Sequence, residues 1–212
     1  ITVAPVEVPP TADYQVEHYK ENLDGTYTKA QTVRKKGAAV GETVDAEDEN
    51  EGLLKSYRGF VFDKSVGGSV SSAVVEEDGS TMLKLYYRRQ ICKLSLTTEE
   101  GISADISGDT GSVSESVPAG QKKENSFKYG ENVTVSVSQV ADGSSFAGWY
   151  EAGEMRNKYA TYPILMSEDI GLVAKSETTS YEMIVEGKHV SSDLPEENYE
   201  SKIPFGEKRT VG

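Results

Sequence analysis

Short runs in which apolar and polar side chains alternate, each closed by a glycine or Asp-Gly turn, recur along this chain and restrict it to small β-sheets. The cleanest is Val133, Val135 and Val137 interleaved with Thr134, Ser136 and Ser138. Successive strand residues point to opposite faces, so such a run is half-buried, with an apolar face turned inward. Met82, Lys84, Tyr86 and Arg88 alternate in the same way with Leu83, Leu85 and Tyr87, which makes one face the more apolar. No single long pattern ties these runs together, and 212 residues allow one large domain or two small ones. Small modules in tandem are the expectation.

The first part of the chain carries six organising signals. Pro5, Pro9 and Pro10 in ITVAPVEVPPTAD withhold ladder hydrogen bonds and favour extended chain, so residues 1–13 read as a Pro-rich linker. From Tyr14 a hairpin is expected: Tyr14, Val16 and His18 alternate with Gln15, Glu17 and Tyr19, Asp24-Gly25 supplies the turn, and Tyr27 and Val33 lie on the return strand. A second turn is expected at Lys36-Gly37. The run AEDENEGLLKSY predicts one short helix, with Asp45 as cap, acids in the first turn, and Leu53, Leu54 and Tyr57 near one face, weakened by Gly52. Gly59 to Phe62 reads as a brief strand, and Asp78-Gly79 turns the chain into the strand that ends near Arg89.

A second module follows. ICKLSLTT places Cys92, Leu94 and Leu96 on one face, so Cys92 reads as a core residue rather than a reactive thiol. A long Gly/Ser/Asp-rich loop is expected from Gly101 to Asn125, then the Val133–Val137 strand and strands around Phe146–Tyr150, Pro163–Met166 and Ile170–Ala174. After Lys175 the chain starts afresh with too few residues for a core of its own. Three echoes, Gly41 to Val44, Gly130 to Val135 and Gly206 to Val211, each put a glycine turn before a β-branched strand and favour a repeat organisation. The expected domains are therefore 14–90, 91–177, and 178–212 as the start of a third module or a C-terminal extension.

A net charge of -13 disfavours nucleic acid and anionic membrane surfaces, both of which would repel the chain. No apolar run is long enough to span a bilayer, so membrane insertion is not expected, and the opening residues lack the pattern of a signal peptide, which suggests a fragment of an ectodomain. The single cysteine excludes an internal disulfide and supplies no zinc site alone.

The run YQVEHYKENLDGTYT, continued by GETV, YRGF and DGSTMLKLYYRR, resembles the mucin-binding-protein (MucBP) and internalin B-repeat-like modules of Gram-positive surface proteins. KLSLTT, YGENVTVS, FAGWY and VAK make the second module similar to a divergent B-repeat family. The resemblance implies mainly β (α+β) modules of β-grasp-like fold, displayed outside the cell or on the cell wall, with no catalytic residues to carry over. It also implies adhesion in some members, the partner being host glycan or glycoprotein. Lys to Asn or Asp isopeptide cross-links occur in modules of this kind and would need a buried carboxyl group nearby.

The residues themselves offer little chemistry. His18 and His189 are the only histidines and neither has a metal-ligand or base–nucleophile spacing; His18 reads as a packed or edge residue of a strand. Neither catalytic residues nor a cofactor is expected. Glu47, Asp48, Glu49 and Glu51, or Asp105, Asp109 and Asp142, are conceivable calcium ligands, but they lack the spacing of a calcium loop, so no metal is expected. Among Tyr86, Tyr87, Trp149, Tyr150, Tyr159 and Tyr162, the tryptophan reads as core, and Tyr150 and Tyr159 are the candidates for stacking on a sugar ring. The expected role is that of a non-enzymatic spacer, monomeric within a longer multidomain chain. The alternatives are a glycan-binding adhesin module and, less favoured, an accessory domain of a carbohydrate-active enzyme with paired carboxylates.

Overall fold

The computed structural model describes residues 9–182 and 202–204, and every regular element within them is a strand. The chain divides into two compact units, Ile1–Cys92 with Lys128–Glu131, and Lys93–Phe127 with Asn132–Gly212.

The first unit is built on β1 (Thr11–Glu21), β2 (Tyr27–Ala39), β3 (Thr43–Asp45), β4 (Phe60–Phe62), β5 (Ser72–Val74) and β6 (Met82–Arg89). Four of these form one sheet in the order β2-β1-β6-β4, with β1 parallel to β6 and both outer pairs antiparallel. Strands β3 and β5 pair as a separate short ribbon. Alternation sorts the faces as expected: Tyr14 and Val16 of β1 and Leu83, Leu85 and Tyr87 of β6 pack with Val44, Ala46, Leu53 and Val75 into one core. Each fully buried aliphatic side chain there contributes about 1.5–3 kcal/mol of transfer free energy.

Three details of this unit differ from expectation. Strand β1 begins at Thr11 and buries Ala12, so the last residues of the expected linker belong to the sheet; residues 1–8 lie outside the described part. Lys36-Gly37 is a bulge inside β2 and no turn. Ala12 pairs with Ala38 and Tyr14 with Lys35, leaving two residues of β2 opposite Asp13, and Gly37 adopts φ +72° while its N–H donates to Asp13 Oδ1. No helix forms between Asp45 and Tyr57. Asp45 Oδ1 accepts the N–H of Glu47, Asp48 Oδ1 accepts the N–H of Asn50, and Gly52 turns at φ +57°, so side-chain acceptors capture the amides that a helix would have used. The segment still buries Leu53 and is tied down at Lys55, whose N–H donates to Tyr87 Oη at 2.9 Å.

The second unit contains β7 (Ile91–Thr98), β8 (Ile102–Gly108), β9 (Ser114–Val117), β10 (Lys122–Lys128), β11 (Asn132–Val140), β12 (Ser144–Glu151), β13 (Glu154–Asn157), β14 (Thr161–Leu165) and β15 (Ile170–Thr178). One sheet runs β10-β7-β15-β12-β13, with β7 parallel to β15; the other runs β14-β11-β8-β9. Strand β8 packs against β12 and β15, so the apolar faces of the two sheets meet. Leu94, Leu96, Trp149, Leu172 and Ala174 are buried from the first sheet, and Ile102, Ala104, Ile106, Val133 and Val135 from the second. Cys92 is buried and forms no disulfide. The stretch from Gly101 to Asn125, expected as loop, supplies β8, β9 and most of β10. The cause is visible in β8, where Ile102, Ala104 and Ile106 are buried while Ser103, Asp105 and Ser107 face outward and give the run a loop-like composition.

Two short strands follow, β16 (Ser180–Glu182) and β17 (Lys202–Pro204), paired antiparallel. The rest of the stretch expected to open a third module, with His189 and the third echo, lies outside the described residues.

Candidate functional site

On the core face of the first sheet His18 is fully buried. Its Nδ1 lies 3.1 Å from Tyr87 Oη, and its ring stacks on Tyr87 with Tyr57 set edge-on to both. Burial and, less strongly, the Lys55 ammonium hold the imidazole below its ordinary pKa. Buried against Tyr57 and Tyr87, it is packed as the sequence suggested.

The opposite face of the same sheet gathers tyrosines. Parallel pairing of β1 with β6 sets Tyr19 beside Tyr86, and the rings stack at 4.8 Å with 13° between planes; Tyr27 of β2 meets Tyr86 edge-on at 5.1 Å. Glu17 accepts the Tyr19 hydroxyl at 2.5 Å and Lys29 Nζ at 2.9 Å. These bonds hold the Glu17 carboxyl below its ordinary range, and the bond to Glu17, with burial, pushes Tyr19 up to about 12. Arg88 pairs with Asp63 at 3.3 Å. Around the end of β1 an open cleft of about 260 Å³ is lined by Lys20, Thr28, Lys29, Phe60 and Arg89 among others, with the Lys20 ammonium 4.5 Å above the Phe60 ring.

In the second unit Trp149 and Tyr150 point to opposite faces of β12. Trp149 is fully buried and its Nε1–H donates to the Tyr159 carbonyl at 2.9 Å, as a buried indole requires. Tyr150 is half-buried with the Lys175 ammonium 4.4 Å above its ring, so one ring face already has a cationic neighbour. Gly148 lies beside it: a Cβ there would meet the Asn157 carbonyl oxygen at 3.0 Å, Tyr150 Cε2 at 3.4 Å and Met155 Cε at 3.5 Å. Tyr159 is 66% exposed, its backbone pinned by the Trp149 indole and by Asn157 Oδ1 while its ring projects outward. No ring contact joins Tyr150 to Tyr159; they are separate positions and form no common platform. The cluster Tyr19–Tyr27–Tyr86 was not foreseen as a group, because only the strand pairing brings it together.

Most of the acidic residues weighed as calcium ligands are engaged elsewhere. Glu47 pairs with Lys64, Asp48 holds the Asn50 side chain, Asp105 accepts from Ser116, and Asp109 accepts from Asn132. Among the described residues no group of three His, Cys, Asp or Glu side chains gathers around a possible metal position. Of the buried carboxylates, Glu17 meets Lys29 and Tyr19, Glu21 meets Lys128 Nζ and the Arg89 N–H, and Glu131 accepts the Lys128 N–H. Both of these lysine pairs end on glutamate rather than on Asn or Asp.

Residues 109–175, which span β9 to most of β15, match the family model of the Listeria-Bacteroides repeat domain. No curated protein matches the chain in sequence. Among solved structures it is similar to the Bacillus anthracis TIE protein, with 11% identity and a TM-score of 0.49 over 81% of this chain and 35% of that one. The C-terminal fragment of the pilus adhesin SpaC from Lactobacillus rhamnosus GG gives 13% identity and a TM-score of 0.37, over 81% of this chain and all of that fragment. GBS52, the minor pilin of Streptococcus agalactiae, gives 8% and 0.33, over 84% of this chain and all of that one. The chain spans about a third of the length of the TIE protein.

Proposed function

We propose that the chain is a non-enzymatic pair of repeat modules from a surface protein of a Gram-positive bacterium, spacing a binding region away from the cell wall. The observation that carries this reading is the repeat-domain match at 109–175, which falls on a β unit in which the buried Trp149 indole and Thr98 hydroxyl are taken up by structural contacts. The module limits 14–90 and 91–177, the MucBP or B-repeat kinship and monomeric existence within a longer chain belong to the same proposal. For the first module the order β2-β1-β6-β4 with its parallel central pair supports the β-grasp-like reading, with the turns between β3 and β4 standing where a helix was expected. The test is fractionation of a bacterium that carries the gene: the chain is expected in the wall or surface fraction, and recovery from the cytosol overturns the reading.

Adhesion to host glycan or glycoprotein is the second reading, favoured by the exposed ring of Tyr159 and by Tyr150 on the outer face of β12. Glycan and mucin arrays probed with the wild-type chain, Tyr150→Ala and Tyr159→Ala test it. Binding that either substitution weakens supports it; no signal above an unrelated acidic protein removes it.

A further inference from the structure

The buried imidazole of His18 has one satisfied nitrogen and one that is not. Tyr87 Oη accepts the N–H of Lys55 and can donate its own proton to His18 Nδ1, an arrangement in which Nδ1 is the unprotonated nitrogen. The proton of the neutral ring is then on Nε2, and Nε2 has no hydrogen-bond partner. Beside it lies a cavity of about 10 Å³ lined by Val16, His18, Val33, Lys35, Gly52, Leu53 and Lys55, roughly the room one water molecule needs.

We propose that His18, Tyr87 and Lys55 form an acid-sensitive latch: the neutral imidazole holds the Tyr87 hydroxyl in the orientation that anchors Lys55, and protonation of His18 releases the segment of residues 46–57 from the sheet. The charged groups nearest the ring are lysines, and the Lys55 ammonium disfavours its protonation. Lys55 comes from the segment itself, Lys35 from β2, and Lys20 from β1, its ammonium 5.3 Å from the Tyr57 ring. From β6 and the segment come only the hydroxyls of Tyr87 and Tyr57. The nearby acids are turned elsewhere: Glu51 takes the Tyr14 hydroxyl, and Glu17 lies on the opposite face with Lys29. A proton on Nδ1 would also need Tyr87 Oη as acceptor and would send the hydroxyl proton toward apolar surroundings. The histidine is buried neutral with a depressed pKa, so the unfolded or opened state binds the extra proton. The latch is therefore fully present above the free-histidine value of about 6.5 and is lost as pH falls below it.

The test uses the whole chain, with urea unfolding and amide exchange across residues 50–58 followed from pH 7.5 to 5.0. The opening equilibrium is expected to rise toward tenfold for each pH unit below about 6.5, the limit for one proton. His18→Asn keeps an acceptor for Tyr87 and cannot titrate, so its opening should be flat over this window whatever its absolute stability. His189→Asn should retain the wild-type slope. Imidazole NMR of the folded wild type supplies a reading that does not depend on any variant: His18 titrates below the free-histidine value of about 6.5 and carries its proton on Nε2 while neutral. A slope that survives in His18→Asn, or a folded His18 that titrates at or above 6.5, overturns the proposal.

Discussion

Replacing Trp149 by Phe should destabilise the second unit by about 2 kcal/mol, and two parts of the structure contribute. Trp149 is fully buried between the sheets, and its indole donates to the Tyr159 carbonyl at 2.9 Å. Phe leaves about 40 Å³ unfilled, which at roughly 24 cal/mol per Å³ costs about 1 kcal/mol. Loss of the hydrogen bond to the part-buried Tyr159 carbonyl adds about 1 kcal/mol. With a urea dependence of about 1–3 kcal/mol per molar, the midpoint of the second unit should fall by about 1 M. The assay is urea unfolding by far-UV circular dichroism for both proteins, with fluorescence of the wild type as an assignment, since Trp149 is the only tryptophan and reports the second unit alone. A loss below 0.5 kcal/mol, or a solvent-exposed emission from the native wild type, would refute the burial argument.

Other substitutions probe the first unit. Gly37→Ala should cost about 1 kcal/mol of stability, entirely through the backbone, because φ is +72° and a Cβ there meets nothing within 4 Å; a neutral result in chemical denaturation would mean that the bulge is not fixed. Glu17 has a folded pKa below its unfolded one, so its contribution is present above the unfolded value and lost as pH falls through the folded value; Glu17→Gln should flatten acid unfolding in the carboxyl range, and an unchanged acid limb would count against the Tyr19–Glu17–Lys29 contacts. Spectrophotometric titration should find Tyr14 and Tyr19 ionising late, at about 12, with Tyr19 returning toward 10 in Glu17→Gln; tyrosines that all titrate together near 10 would contradict the structure.

Patterns confined to one strand were readable in the sequence. The core faces of β1, β6, β7 and β11 follow directly from Val16, Leu83, Leu94 and Val133 and their alternate neighbours. What escaped needed information from elsewhere in the chain. Leu53, Leu54 and a run of acids fit a helix locally, yet Asp45 and Asp48 bind their own following amides, and Leu53 finds its burial under the sheet without one. In β8, serine and aspartate on the exposed side outweigh Ile102 and Ile106 in composition, although their spacing is that of a strand. The Tyr19–Tyr27–Tyr86 cluster depends on the parallel register of β1 with β6, which joins residues more than sixty positions apart and leaves no local trace. Trp149 was legible as core; that its indole would pin the Tyr159 backbone was not.

In each unit an early strand and a late strand lie side by side and point the same way, β1 with β6 and β7 with β15. Tension applied to the two ends of such a unit pulls these partners past each other along their length, so the rungs between Gln15–Lys20 and Met82–Tyr87 must yield together and cannot peel off one at a time. A hairpin drawn from its open end would unzip. The same count of hydrogen bonds therefore resists stretching more strongly in this arrangement.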